Sequence, residues 1–133
     1  MGSSINNGIY SRLSSYTTLT ALVNKRIYPI ILPQDCELPA VVYQRISGPR
    51  IHAMGDDPGL THPRYQITVI SQNDYDKARQ VADEVINAFK NERDATWGSL
   101  NVQASYVEDD QEFFDDESER YRIAIDLIIW AEE

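Results

Sequence analysis

The sequence predicts an α+β domain in which an antiparallel sheet of about four strands carries two helices on one face. Three observations lead to this class: a long amphipathic helical pattern, segments of alternating apolar and polar residues, and turn-rich segments between them. The 133 residues fit one domain, 1–133, and a hydrophobic content of 42% provides for a core. Residues 1–4 are expected to be disordered or cloning-derived.

Two segments show the three- and four-residue spacing of apolar side chains that is typical of helices. The first runs from Ile5 to Tyr16. A short helical turn follows it and is expected to face Leu19, Leu22 and Val23 inward. The stronger segment begins at Asn73 or Asp74, and its apolar positions are Ala78, Val81, Ala82, Val85, Ile86 and Phe89. Its other side is polar, which indicates a helix packed on a sheet.

Strands are predicted where β-branched and aromatic residues cluster or alternate with polar ones. The four predicted strands are Ala40 to Ser47, Arg64 to Ser71, Leu100 to Val107 and Arg120 to Trp130. The segment after Arg26 is expected to be an extended edge or irregular, because Pro29 and Pro33 cannot donate to a strand ladder. Residues 91–99 are expected to form a turn region.

The acidic segment from Val107 to Glu119, VEDDQEFFDDESE, lies between the last two predicted strands. It holds eight of the 21 acidic residues and no basic one, so the remaining 13 acids nearly balance the 12 bases. We expect a solvated hairpin tip, which discourages aggregation by charge repulsion. Charge repulsion does not explain why Phe113 and Phe114 are present, so we expect the segment to become ordered when it binds a partner.

A second long loop, from Ser47 to Pro63, is rich in glycine and proline and is expected to be functional or disordered. Its His52, Asp56, Asp57 and His62 have the residue types of a metal site, but their spacing matches no zinc motif. The acidic segment lacks the glycine that a calcium loop of the EF type requires. A metal-dependent hydrolase built on either set therefore remains only an alternative.

Other functional classes find little support in the composition. The net charge of −9 argues against sequence-independent nucleic-acid binding, which needs clustered Lys and Arg. The single cysteine, Cys36, permits no intramolecular disulfide and fits a reducing compartment. No G-x-S-x-G motif or phosphate-binding loop occurs, and no apolar run approaches the ~18 residues of a membrane span. We expect no enzymatic activity, no cofactor and no membrane partner.

Three stretches resemble the tail-completion, or tail-terminator, proteins of long-tailed bacteriophages in order and spacing. The first is SYTTLTALVNKRIYPIILPQDCELPAVVYQRISG, in which "RIYP" and "VVYQRISG" carry the likeness. The second, RYQITVISQNDYDKARQVADEVINAF, resembles the strand and following helix of that family. The third, RYRIAIDLIIWAEE, resembles its closing strand, which typically ends in an aromatic residue, here Trp130.

The resemblance implies a structural protein that caps the finished tail tube as a ring, commonly of six subunits. Such a ring stops polymerisation of the tube protein and joins the head connector, or stopper, protein. Genomic DNA passes through it without specific binding. The expected location is the virion, at the head–tail interface, after assembly in the host cytoplasm. An interaction adaptor unrelated to phage remains a further alternative.

The candidate assembly interface combines the two unusual segments and their flanks. Arginines beside the long loop are expected either to pair with acids of a neighbouring subunit or to be solvated. The candidate residues are Arg45, Arg50, His52, Asp56, Asp57, Asp109, Asp110, Phe113, Phe114, Asp115 and Asp116.

Overall fold

A computed structural model describes residues 2–47, 60–90 and 92–132. Its helices are α1 (Gly2–Ser15), α2 (Thr17–Val23) and α3 (Tyr75–Phe89). Its strands are β1 (Ile27–Pro29), β2 (Ala40–Ser47), β3 (Leu60–Thr61), β4 (Arg64–Gln72), β5 (Glu92–Trp97), β6 (Leu100–Asp115) and β7 (Arg120–Glu132). The α+β class is confirmed.

The strands form one sheet in the order β1-β2-β4-β7-β6-β5, and the short β3 pairs with the end of β7. All pairs are antiparallel except β1 with β2. The described residues thus hold seven strands and three helices, so the prediction of about four strands and two helices was too low. The proline-containing segment does form an edge strand, β1, as one of its two predicted alternatives.

The predicted turn region at residues 91–99 was wrong, because six of its residues form β5. Glu92 to Trp97 pair with Ser105 to Leu100 of β6, although the sequence ERDATW shows no alternation. Pairing with a strong neighbouring strand outweighs the weak local preference. Only the tight connection remains a turn, and Gly98 occupies it with a φ of +65°.

The core lies between the sheet and the helices, on what we call the helix face of the sheet. The predicted start of α3 is confirmed, because Asp74 caps the helix by accepting a hydrogen bond from the Lys77 N–H at 3.0 Å. The apolar side of α3 packs with α1 and α2 into a single cluster over β4 and β7. Its fully buried members include Tyr65, Ile67, Val69, Ile123, Ile125 and Leu127. Burying each large aliphatic side chain stabilises the fold by about 1.5–3 kcal/mol.

The acidic segment is not a hairpin tip in its entirety, which corrects the prediction. β6 continues as far as Asp115, and its residues pair with β7 down to Arg120. Only the four residues 116–119 form the turn. The strand continues because β7 offers it a regular partner and because basic residues from α3 and β4 neutralise part of its charge.

Candidate assembly surface

The acidic part of β6 forms one unpaired edge of the sheet. β5 pairs with β6 only from Leu100 to Ser105. From Tyr106 to Asp115, β6 has β7 on one side and no described strand on the other. We call this stretch the free β6 edge. Such an edge presents unpaired backbone N–H and C=O groups, which are a template for another chain.

Two side chains of α3 bind acidic side chains of the free β6 edge on the helix face of the sheet. The Arg79 guanidinium donates hydrogen bonds of 3.0 Å to both Asp110 Oδ2 and Glu112 Oε2. The Tyr75 hydroxyl donates to the same Glu112 oxygen at 2.7 Å. This tyrosine hydrogen bond, together with those from Arg79, lowers the pKa of Glu112. The acids are therefore partly neutralised within the subunit, and the edge is held in place.

The two phenylalanines lie on opposite faces of the sheet, because successive strand side chains alternate. Phe114 is opposite Tyr121 on the helix face, with ring centroids 5.0 Å apart, and Tyr121 also contacts Tyr75 at 5.7 Å. Phe113 is opposite Arg122 on the other face, which we call the far face. Phe113 and Phe114 remain 51% and 50% exposed. The edge therefore presents an aromatic ring to solvent on each side.

Further acidic side chains of this edge lie on the far face and at the turn. Asp109 is directly opposite Asp126 on β7, while the neighbouring Glu108 forms an ion pair with Arg64. Asp115 accepts a hydrogen bond of 2.9 Å from the Ser118 hydroxyl, which lowers the pKa of Asp115. Among the described residues, no ion-pair partner is found for the three turn acids Asp116, Glu117 and Glu119. The turn thus concentrates negative charge that is not held in ion pairs, and Arg120 of β7 directly follows it in the chain.

The one other candidate that the structure describes, Arg45, does not lie at this edge. Arg45 of β2 is paired with Tyr65 of β4, which in turn is paired with Leu127 of β7. Asp115 of β6 is paired with Arg120 of β7. Leu127 and Arg120 are seven residues apart along β7, which is about 23 Å at roughly 3.3 Å per residue. Arg50, His52, Asp56 and Asp57 lie outside the described residues. Of the candidates that the structure describes, those of β6 and Asp116 of the turn therefore lie together, and Arg45 lies apart from them.

The metal alternative gains nothing from the described residues. No group of three or more His, Cys, Asp or Glu side chains that could hold a metal ion occurs in the described part of the chain. His62 stacks on Trp130 with ring centroids 4.5 Å apart. Asp110 and Glu112 are already paired with Arg79. Within the described ranges, no helix is long and apolar enough to cross a membrane.

Sequence reasoning missed the residues that position the free β6 edge. Arg79 and Tyr75 belong to α3, and Tyr121 belongs to β7. Their relation to the acidic segment depends on how α3 crosses the sheet, which periodicity does not reveal. The one available signal was that Arg79 stands on the polar side of an otherwise largely acidic helix, opposite an unbalanced acidic segment.

The same fold occurs in a phage-like particle. The chain is similar to a chain in the solved structure "Virion of native gene transfer agent (GTA) particle", with a TM-score of 0.71 and 20% sequence identity. The alignment covers 94% of this chain and 92% of that chain. At this identity the likeness shows a shared fold. No curated protein sequence matches.

The sequence itself matches the family model described as tail completion protein gp17 over residues 7–132. The match spans nearly the whole chain, so the chain belongs to this family of bacteriophage tail completion proteins. This confirms the resemblance drawn from the sequence motifs. The protein is accordingly a structural protein of the phage virion with a role in the tail.

Proposed function

We propose that this protein caps the tail tube as a ring, stops polymerisation of the tube protein and forms the joint to the head connector. The observation that carries the proposal is the free β6 edge, which has exposed aromatic rings on both faces, in a member of the tail completion family. Surfaces of this kind bind other proteins, because aromatic anchors supply much of the binding energy at interfaces. The mechanism is binding rather than catalysis.

The free β6 edge is organised before any partner arrives, in contrast to a loop that orders on binding. Its backbone is paired with β7, and Arg79 and Tyr75 hold its acidic side chains. Docking therefore requires little ordering of the edge, and a larger share of the contact energy is left for association. We propose that the partners at this surface and at the Arg45 end are the tube protein, the connector protein and a neighbouring subunit of a six-membered ring.

The acidic charge has a second use in such a ring. Net charge is −9, and the turn acids have no ion-pair partner among the described residues. A surface with this charge repels the phosphate backbone, so genomic DNA is able to pass without specific binding. Carboxylates at a rim also steer docking on basic partners, and the association rate then falls as salt is added.

Electron microscopy of tails assembled without this protein tests the proposal. We expect tubes of irregular, often excessive length that do not join heads, because nothing stops polymerisation or offers a joint. Supplying the purified protein to such a preparation should restore head joining. Tails of normal, uniform length that join heads in its absence would contradict the proposal.

A further inference from the structure

Aromatic side chains line a small pocket on the helix face, beside the free β6 edge. Its volume is about 210 Å³. Tyr75 of α3, Phe114 of β6 and Tyr121 of β7 supply the rings, and Glu112 of β6 supplies a carboxylate. Tyr75 and Phe114 are 40% and 50% exposed, so the pocket is open to solvent. The pocket therefore combines aromatic surface with a negative charge.

The carboxylate in this pocket has one oxygen that is available to a partner. The Tyr75 hydroxyl and the Arg79 guanidinium both donate to Glu112 Oε2, at 2.7 and 3.0 Å. Among the described residues, no hydrogen-bond donor is found for Glu112 Oε1. Because this side chain is partly exposed, a donor of another molecule is able to bind there without displacing Arg79.

A cationic side chain fits this combination of groups best. A cation over the face of an aromatic ring is attracted by the electrons of the ring, and a carboxylate adds a charge-assisted hydrogen bond. Arginine meets both requirements, since its planar guanidinium stacks on rings while its N–H groups donate in a fixed geometry. The pocket therefore has the chemistry of an arginine site.

The basic side chains nearest to the pocket are already engaged elsewhere. The Arg79 guanidinium is in ion pairs with Asp83, Asp110 and Glu112. Arg122, a basic residue in the pocket lining, belongs to the far face, where it interacts electrostatically with Asp115. The rings of the pocket are therefore left for a cation from outside the subunit.

The free β6 edge indicates how such an arginine arrives. Its outer backbone groups have no described strand beside them, and sheets commonly bind extended peptides by accepting one more strand. Side chains alternate along a strand, so a residue opposite Glu112 or Phe114 lies on the helix face. In either register, a residue next to it lies opposite Phe113 on the far face. Recognition therefore favours an arginine next to an apolar residue in an extended segment.

We propose that the pocket receives an arginine side chain from an extended segment of another tail protein, which adds to the sheet beside β6. The inference rests on the proposed role of this protein in tail assembly. Charge complementarity supports it, because the free β6 edge from Tyr106 to Asp115 holds five acidic residues and no basic one. The exposed rings of Phe113 and Phe114 supply apolar contacts on the two sides of the added strand.

A second copy of this chain is a poorer source of the arginine. Four arginines of the described residues are in ion pairs within the subunit, namely Arg12, Arg26, Arg64 and Arg79. Arg45 likewise interacts within the subunit. Arg93 of the edge strand β5 is exposed, but it stands between Glu92 and Asp94. Pairing β5 with the free β6 edge would place acids opposite acids, which destabilises a strand pair.

Peptide titration of the purified protein tests the pocket. The probe is acetyl-Thr-Val-Arg-Val-Thr-amide, and its control carries citrulline, which has the shape of arginine without the charge. Nuclear magnetic resonance of the isotope-labelled protein should show saturable shifts around Phe114 and Tyr121 with the arginine peptide. The citrulline peptide should bind about fivefold or more weakly, because it lacks the cation. Equal binding of the two peptides, or no saturable shift with either, would overturn the pocket.

A matched pair of variants tests the contribution of the ring. Phe114→Leu keeps an apolar side chain without the ring and should weaken binding of the arginine peptide by about two- to fivefold. Tyr106→Leu is the control, because this exposed tyrosine is on the same edge but opposite Ile128 on the far face. It should bind the peptide like the wild type, and thermal melts check that both variants fold. Wild-type affinity in Phe114→Leu would contradict the proposed site.

Photo-cross-linking on assembled tails identifies the source of the arginine. Gln111→Cys, in a Cys36→Ser background, carries a benzophenone maleimide at an exposed position next to Glu112. A cross-link to a different tail protein would support the proposal, and cross-links only to copies of this chain would overturn it. Tails of normal length made without this protein would overturn the capping function, whereas the peptide titration decides the pocket independently of tails.

Discussion

The two halves of β6 differ in what covers them. From Leu100 to Ser105, β5 covers the edge, and the inward residues Leu100, Val102 and Ser105 are buried. From Tyr106 to Asp115, no described strand pairs with the outer edge, and Phe113 and Phe114 stay half-exposed. One continuous strand therefore contributes to the core at one end and offers an interaction surface at the other. Pairing with β7, which stabilises the fold, therefore also holds the interaction surface in place.

Truncating a side chain in the covered half of β6 should change stability far more than truncating one in the unpaired half. Leu100→Ala should lower the free energy of unfolding by about 2–5 kcal/mol, because it leaves a cavity in a buried site. Phe113→Ala should change it by only about 0.5 kcal/mol, since the ring is half-exposed. Urea denaturation of both variants checks this. Equal losses of stability would mean that the free edge belongs to the core.

The next effect concerns the close contact between α1 and the covered half of β6. A Cβ added at Gly8 would lie 2.6 Å from Cδ2 of Leu100 and 3.0 Å from its Cβ. Gly8→Ala should therefore destabilise the protein by about 1–3 kcal/mol through overpacking, although alanine favours helix. Thermal unfolding measures the loss. A stabilised Gly8→Ala variant would show that α1 does not approach the sheet this closely.

A smaller effect is expected for Arg79, whose side chain connects α3 to the free β6 edge. Arg79→Ala removes the hydrogen bonds to Asp110 and Glu112 and should lower stability by about 1 kcal/mol, because partly exposed ion pairs contribute little. Hydrogen exchange should accelerate at β6 amides near residues 110–112. Arg93→Ala, at an exposed position on β5, is the control and should leave these amides unchanged. Unchanged exchange in Arg79→Ala would show that pairing with β7 alone holds the edge.

The smallest expected effect is the pH dependence of stability that Glu112, a partner of Arg79, contributes. The folded-state pKa of Glu112 lies below its ordinary value of 4.5, mainly because Tyr75 and Arg79 donate to it. Its stabilisation is thus fully present above pH 4.5 and is lost as the pH falls through the lower folded-state pKa. Glu112→Gln should flatten the stability profile in this acid range. A profile identical to that of the wild type would contradict a stabilising role for the carboxylate.

The helices and strands that the sequence predicted correctly are those whose structure is determined by a local sequence pattern. The helix after Asp74 and the strand from Ala40 to Ser47 are examples, since periodicity and β-branched residues decide them locally. β5 and the acidic half of β6 were missed because they depend on pairing with distant strands. The candidate residues of β6 are together in the structure, but Arg79, which tethers them, was found only from the path of α3.

We expect Phe113 and Phe114 to act in assembly rather than in folding. The most direct measurement is the length distribution of tails assembled with Phe113→Ser/Phe114→Ser in place of the wild-type protein. Tyr10→Ser, which removes another exposed aromatic ring from α1, is the matched control. We predict a folded double variant that leaves tails uncapped and overlong, beside a control that caps normally. A folded double variant that gives tails of normal length joined to heads would contradict the claim.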